Sequence, residues 1–173
     1  KILKKTDALL EGHFILSSGL RSEKYIQCAK LLSKPKEAKE LCLSLAEKIK
    51  EKFKNIDLIL SPAIGGIVIG YEIGRILGLE TIFAERVNEN FQLRRGFEIK
   101  QGQKILIVED VITTGKSSFE CSNLGSKVGA EVVGYACLID RSNGKSKINK
   151  QIVSQVEINI PTYKEEEIPK HLK

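Results

Sequence analysis

The run Ile105 to Ser118, ILIVEDVITTGKSS, brings acids, hydroxyls and glycine together at one point of the chain. Ile105, Leu106, Ile107 and Val108 make a buried strand, and two consecutive acids, Glu109 and Asp110, stand at its carboxyl end. A small-residue turn, Thr113-Thr114-Gly115, then leads into a helix starting near Lys116. Free backbone N–H groups at a helix start, helped by the dipole and two threonine hydroxyls, form a site for a phosphate monoester. Glu109 and Asp110, one turn back, can accept hydrogen bonds from sugar hydroxyls or help hold a divalent cation. Phosphate donors beside sugar acceptors describe a ribose 5-phosphate cradle.

Two commoner nucleotide motifs fail on the same residues. A Walker A loop needs glycine five positions before Gly115-Lys116-Ser117, and that position is Asp110. The dinucleotide fingerprint GxGxxG is absent, because Gly65, Gly66 and Gly70 have the wrong spacing. No Ser/His/Asp or Cys/His arrangement offers a nucleophile either.

The elements around this run must position it. Apolar residues Ala38, Leu41, Cys42, Leu45, Ile49 and Phe53 recur at three- and four-residue steps, which predicts a helix from about Pro35 to Lys54. Ser33 is its expected cap, and Pro35 suits the first turn. Ile56 to Leu60 reads as a buried strand, followed by Ser61-Pro62-Ala63-Ile64-Gly65-Gly66 and an apolar helix to about Leu77. Thr81 to Ala84, Ile105 to Val108, Glu131 to Ile139 and Gln155 to Ile160 read as further strands. Continuous apolar strands alternating with helices make this an α/β chain: a parallel twisted sheet with helices on both faces. In such sheets ligands sit beyond the carboxyl ends of the strands, here after Leu60, Ala84, Val108 and Ile139.

Composition sets the outer bounds. The 173 residues are 42% hydrophobic and 29% charged, which fits one folded domain and excludes a disordered or collagenous chain. No apolar run approaches the ~18 residues that span a bilayer, so no membrane segment is expected. The first ten residues lack the apolar stretch of a secretory signal, and with Lys1 in place of methionine a few further native residues are an expectation here. Cys28, Cys42, Cys121 and Cys137 are scattered with no CxxC pair; they read as buried free thiols of a reducing, cytoplasmic compartment. The net charge of +6 lies in residues 1–55, with 13 Lys/Arg against 7 Asp/Glu, while residues 56–173 are balanced. Much of it falls on one helix and reads as a solvated face, with a local field suited to a small polyanion. Tyr71 and Phe119 are expected in the core, and His13 is expected to be packed or hydrogen-bonded rather than a base. His171 should be solvated, and Glu165-Glu166-Glu167 an exposed charge run.

Glu109 to Ser117, EDVITTGKS, resembles the signature that binds 5-phosphoribosyl 1-diphosphate (PRPP) in type I phosphoribosyltransferases. The segments HFILSSGLRSEKYIQCAKL (13–31), SPAIGGIVIG (61–70), FAERVNENFQLRRGFEI (83–99) and Asp140-Arg141 resemble the orotate-specific branch in the same order. The resemblance implies a single domain over residues 1–173, with about 1–33 forming a hood over the base through Ser18, Gly19 and Tyr25. It implies that Glu109, Asp110, Val111, Ile112, Thr113, Thr114, Gly115, Lys116, Ser117 and Arg86 bind PRPP, with Arg86 and Asp110 catalytic. Within that set Glu109 and Asp110 would take the ribose hydroxyls and Thr113 to Ser117 the 5-phosphate. Thr113 and Arg141 would contact orotate, and a guanidinium fork does suit a carboxylate. Ala63, Ile64, Gly65 and Gly66 would receive pyrophosphate. Mg2+ would be the cofactor, orotate and PRPP the substrates, and a homodimer the assembly, with no nucleic acid or membrane partner.

Two departures from the pattern stand out. Ser17 occupies a place where many relatives have lysine, and residues 87–98 lack the lysines and histidine of the usual mobile loop. Arg94 and Arg95 are the cations left there; they read equally as loop cations at the site or as exposed arginines at a hairpin turn. Two other functions compete. One is a PRPP-sensing regulator binding nucleic acid through the basic N-terminal third, opposed by the lack of aromatics interleaved with its cations. The other is a transferase for another base, opposed by Arg141, which a neutral purine would not need.

Overall fold

A computed structural model describes residues 2–16 and 19–169. The expectations for Ser17, Ser18 and His171 lie outside the described residues. The chain opens with a short helix, α1 (Ile2–Lys5), and an antiparallel pair, β1 (Leu9–Ile15) and β2 (Arg21–Ile26). Helices α2 (Cys28–Leu32) and α3 (Pro35–Lys52) follow. The main body is β3 (Leu58–Pro62), α4 (Gly65–Leu77), β4 (Glu80–Val87), β5 (Asn90–Leu93), β6 (Lys104–Ile112), α5 (Lys116–Lys127), β7 (Glu131–Asp140) and β8 (Ile152–Glu157). Its sheet has the order β5-β4-β3-β6-β7-β8, parallel except for β5 at the edge. The predicted α/β class, a mostly parallel sheet with helices on both faces, is the observed one.

The period of two along each strand divides the core between the two faces. On one side Ile59, Leu106, Val108 and Ala136 pack under α3 and α4, with Ala38, Cys42, Leu45, Ile49, Ile69 and Ile73. On the other side Leu58, Leu60, Ile82, Ile105, Ile107 and Cys137 pack with Cys121 of α5. The four cysteines are buried free thiols, as the sequence indicates.

Several boundaries differ from the sequence reading, each for a physical reason. Helix α3 stops at Lys52 rather than Lys54 because Phe53 turns extended and buries its ring against β7. Gly134 leaves the room: a Cβ there would lie 2.3 Å from the Phe53 ring. Ser33 is not the cap of α3; Lys34 takes that position without a side-chain bond, and the Ser33 hydroxyl donates to the Lys30 carbonyl at the end of α2. The first sheet strand starts at Leu58 rather than Ile56, and the last starts at Ile152 rather than Gln155, following its register with Tyr135 on β7. Tyr71 and Phe119 are exposed, 66% and 40%, because α4 and α5 turn those positions away from the sheet. His13 is exposed rather than packed. Glu165–Glu167 form an exposed turn of 3-10 helix, as an external charge run should.

Candidate active site

Strand order creates the site. From β3 the chain crosses α4 to β4 on one side, and from β6 it crosses α5 to β7 on the other. The order therefore reverses between β3 and β6, and a crevice opens at their carboxyl ends. The registers show where it begins. Pairing of β3 with β6 ends at Leu60↔Ile107, whereas β6 stays paired with β7 as far as Ile112↔Asp140. Glu109 and Asp110 thus lie inside β6, three and two residues short of its end, on an edge that β3 no longer covers. The sequence reading ended the strand at Val108; Val111 and Ile112 extend it because β7 continues beside them.

Alternation sends the two acids to opposite faces. Asp110 faces α4: a Cβ on Gly65 would stand 2.9 Å from its Oδ1, so only glycine lets the turn after β3 come so near. Its Oδ1 accepts the Val111 N–H at 2.9 Å, and burial raises its pKa. Glu109 faces α5, where the buried Ser118 hydroxyl donates to its Oε2. Burial raises the Glu109 pKa to about 7, with Ser118 and the charge of Arg86 pulling it back down.

That value sets a prediction. A carboxyl whose folded pKa exceeds its unfolded value near 4.5 binds protons more tightly when folded. Its contribution to stability is therefore present below about pH 4.5 and lost as pH rises to about 7. Glu109→Gln should be more stable than the native chain at pH 8, by up to about 3 kcal/mol. The gap should close as pH falls to about 5. Urea unfolding at both pH values checks this, and a variant less stable at pH 8 contradicts it.

The turn from β6 into α5 follows directly. Gly115 caps α5 at φ +72° with no side-chain cap of its own; the Lys116 N–H donates to Thr114 Oγ1 at a long 3.4 Å, and the next N–H groups of the first turn have no acceptor within the helix and suit a ligand or water. Thr113, Thr114 and Lys116 are exposed and Ser117 half-buried around that opening. The Thr114 carbonyl accepts the Lys147 N–H at 2.8 Å, and a Cβ on Gly115 would meet Ile148 at 2.9 Å. The loop 142–148 therefore braces the turn from behind, a support with no sequence signal beyond its turn residues.

The remaining expected residues lie at or just beyond the carboxyl ends of β3, β4 and β7. Ala63, Ile64, Gly65 and Gly66 form the turn from β3 into α4, with a cis peptide at Ala63-Ile64 and the Ala63 N–H donating to Ala84 at 2.8 Å. Arg86, two residues beyond the buried Ala84, shares the α5 side with Glu109. Its guanidinium donates to Glu120 Oε2 at 2.8 Å and to the Glu89 carbonyl at 2.5 Å, over the Phe91 ring at 4.2 Å. Arg141 follows β7, its N–H donating to the Ile112 carbonyl at 2.8 Å. Its half-buried guanidinium leaves Nε without a partner, burial lowers its pKa, and Tyr25 of β2 acts in the opposite direction. Tyr25 stacks obliquely on Phe14 of β1, ring centroids 5.7 Å apart. Arg94 and Arg95 take another course. Both pair with Glu85, at 3.5 and 2.6 Å, on the face of β4 opposite Arg86. Sequence reasoning missed Ser118 and Glu120; only the i,i+4 spacing of Glu120 from Lys116 hints that those two share surroundings.

Comparison with known proteins fits this geometry. The phosphoribosyl transferase domain family matches residues 29–172. An orotate phosphoribosyltransferase of Rhizorhabdus wittichii is 46% identical over 98% of this chain and 87% of its own length. The crystal structure of orotate phosphoribosyltransferase from Aeropyrum pernix superposes with a TM-score of 0.79 at 24% identity, covering 91% of this chain and 92% of that one. The adenine phosphoribosyltransferase of Thermoanaerobacter pseudethanolicus superposes at 0.66 with 19% identity, covering 78% of this chain and 88% of that one. Chains named for different bases share the fold, so the choice of base lies in side chains.

Proposed function

Because this chain belongs to the orotate phosphoribosyltransferase family, we propose that its crevice moves ribose 5-phosphate from PRPP to a ring nitrogen of orotate. The products are orotidine 5′-monophosphate and pyrophosphate, a step of pyrimidine nucleotide synthesis. The observation that carries this reading is the convergence at one switch point of an uncapped helix start, two enclosed carboxylates and a glycine turn.

Breaking the anomeric C–O bond builds positive charge on the sugar and negative charge on departing pyrophosphate. The protein needs no nucleophile for this. The turn at Thr113 to Ser117 holds the monoester, Glu109 and Asp110 take the ribose hydroxyls from opposite faces of β6, and Arg86 supplies a cation for the leaving group. Thr113 and Arg141 hold the base, with Arg141 on its carboxylate.

Among the described residues no three His, Cys, Asp or Glu side chains cluster as a metal site. Magnesium usually keeps one or two carboxylates and takes its other ligands from substrate phosphates and water, which the Asp110 carboxylate fits. When bound, the ion supplies charge neutralisation to pyrophosphate. Ile64, Val68 and Tyr71 leave apolar surface along α4, which supports a homodimer, and four buried free thiols support a cytoplasmic setting.

Incubation with PRPP and magnesium, followed by absorbance with orotate, hypoxanthine, adenine or uracil, tests the function. Orotate alone should be consumed, and only when PRPP is present; consumption of another base instead contradicts the proposal. Arg141→Ala should raise the KM for orotate by roughly ten- to a hundredfold, as loss of a charge-assisted bond does, and leave PRPP binding unchanged. An unchanged orotate KM would take Arg141 out of the base site.

A further inference from the structure

Glu120 lies outside the PRPP signature, in the second turn of α5, yet it touches two of the cations assigned to PRPP. Its Oε2 accepts from Arg86 Nη2 at 2.8 Å, and its Oε1 stands 3.8 Å from Lys116 Nζ. Arg86 arrives from β4 and Lys116 from the first turn of α5, so this one carboxylate joins two separate arms of the site. Arg86 also donates to the Glu89 carbonyl and lies over the Phe91 ring, and its charge acts on the buried Glu109, but Glu120 is the carboxylate it bonds directly.

We propose that Glu120 is a positioning residue, a counter-charge that parks Arg86 and Lys116 in the empty site and yields both to the phosphates of PRPP. The inference rests on the function proposed above. Three features make the exchange feasible. All three side chains are partly solvated, with Arg86 and Glu120 near one-third exposed, so their ion pairs are weak enough to trade. A bidentate phosphate–guanidinium contact is stronger than the single bond Arg86 makes to Glu120. An open cleft of about 440 Å³, lined by Glu89, Phe91, Glu120, Asn123 and Lys127, keeps the Glu120 carboxylate in water after its cations leave.

The sign of the effect separates this role from a structural one. A carboxylate beside a polyanion site both repels the ligand and occupies its cations. Glu120→Gln removes the charge and keeps the shape, so PRPP should bind about fivefold more tightly at low salt. The advantage should shrink near 0.5 M salt, where screening acts within a few ångströms. Glu120→Asp keeps the charge and should stay within about twofold of the native value.

Isothermal titration of PRPP with magnesium into the native chain and the two variants, at low and high salt, tests the proposal. Tighter binding by the glutamine variant alone, fading with salt, is expected. Unchanged or weaker binding by that variant, or equal tightening by Glu120→Asp, overturns it. Native protein that bound no PRPP would overturn the proposed function itself, and this inference with it.

Discussion

Asp110→Asn should lower kcat/KM for PRPP by about a hundredfold while leaving the fold intact, because a hydrogen bond to a charged group is worth roughly 1.5–3 kcal/mol. Asparagine keeps the volume against Gly65 and an oxygen for the Val111 N–H. What it loses is the second carboxylate oxygen, replaced by a donor where a sugar hydroxyl must itself donate. Stability should not fall. Burial raises the Asp110 pKa, so the folded chain bears a cost for that charge at neutral pH that asparagine removes. Steady-state kinetics with a melting curve check both halves. Unchanged kinetics would remove Asp110 from the site.

Arg86→Ala should act on a different parameter. A fixed cation placed where charge develops in the transition state contributes about 10²–10³ in kcat, and its loss should appear there. Binding of PRPP should weaken by less than about tenfold, since Arg86 must first leave Glu120 to reach the ligand. The fold has little stake in the guanidinium, which sits partly exposed on the Phe91 ring. Loss of PRPP affinity with turnover unchanged would mean that Arg86 serves ground-state binding alone.

Much of this arrangement is legible in the sequence because local signals agree there. The apolar run Ile105 to Val108, the two acids and the small turn before Lys116 each demand one conformation, and all three occur. Positive φ at Gly115 and the near approach of Gly65 to Asp110 explain two of the glycines in those motifs. Long-range pairing is what the sequence does not show. The end of β6 moved to Ile112 because β7 runs beside it, and β7 is not adjacent in sequence. Splitting of Glu109 and Asp110 between two faces follows from strand alternation, but only once both are known to lie inside the strand. Helix α4 is apolar almost all round, so periodicity cannot say that Tyr71 faces outward. Glu120 acquires meaning only when folding brings β4 beside α5.

The central claim is that a sugar phosphate is held where β6 gives way to α5. A crystal structure with PRPP bound measures this directly. The account predicts the 5-phosphate on the N–H groups of the Thr113 to Ser117 turn, with the ribose hydroxyls on Glu109 and Asp110. A monoester bound elsewhere, with both carboxylates facing open water, would contradict it.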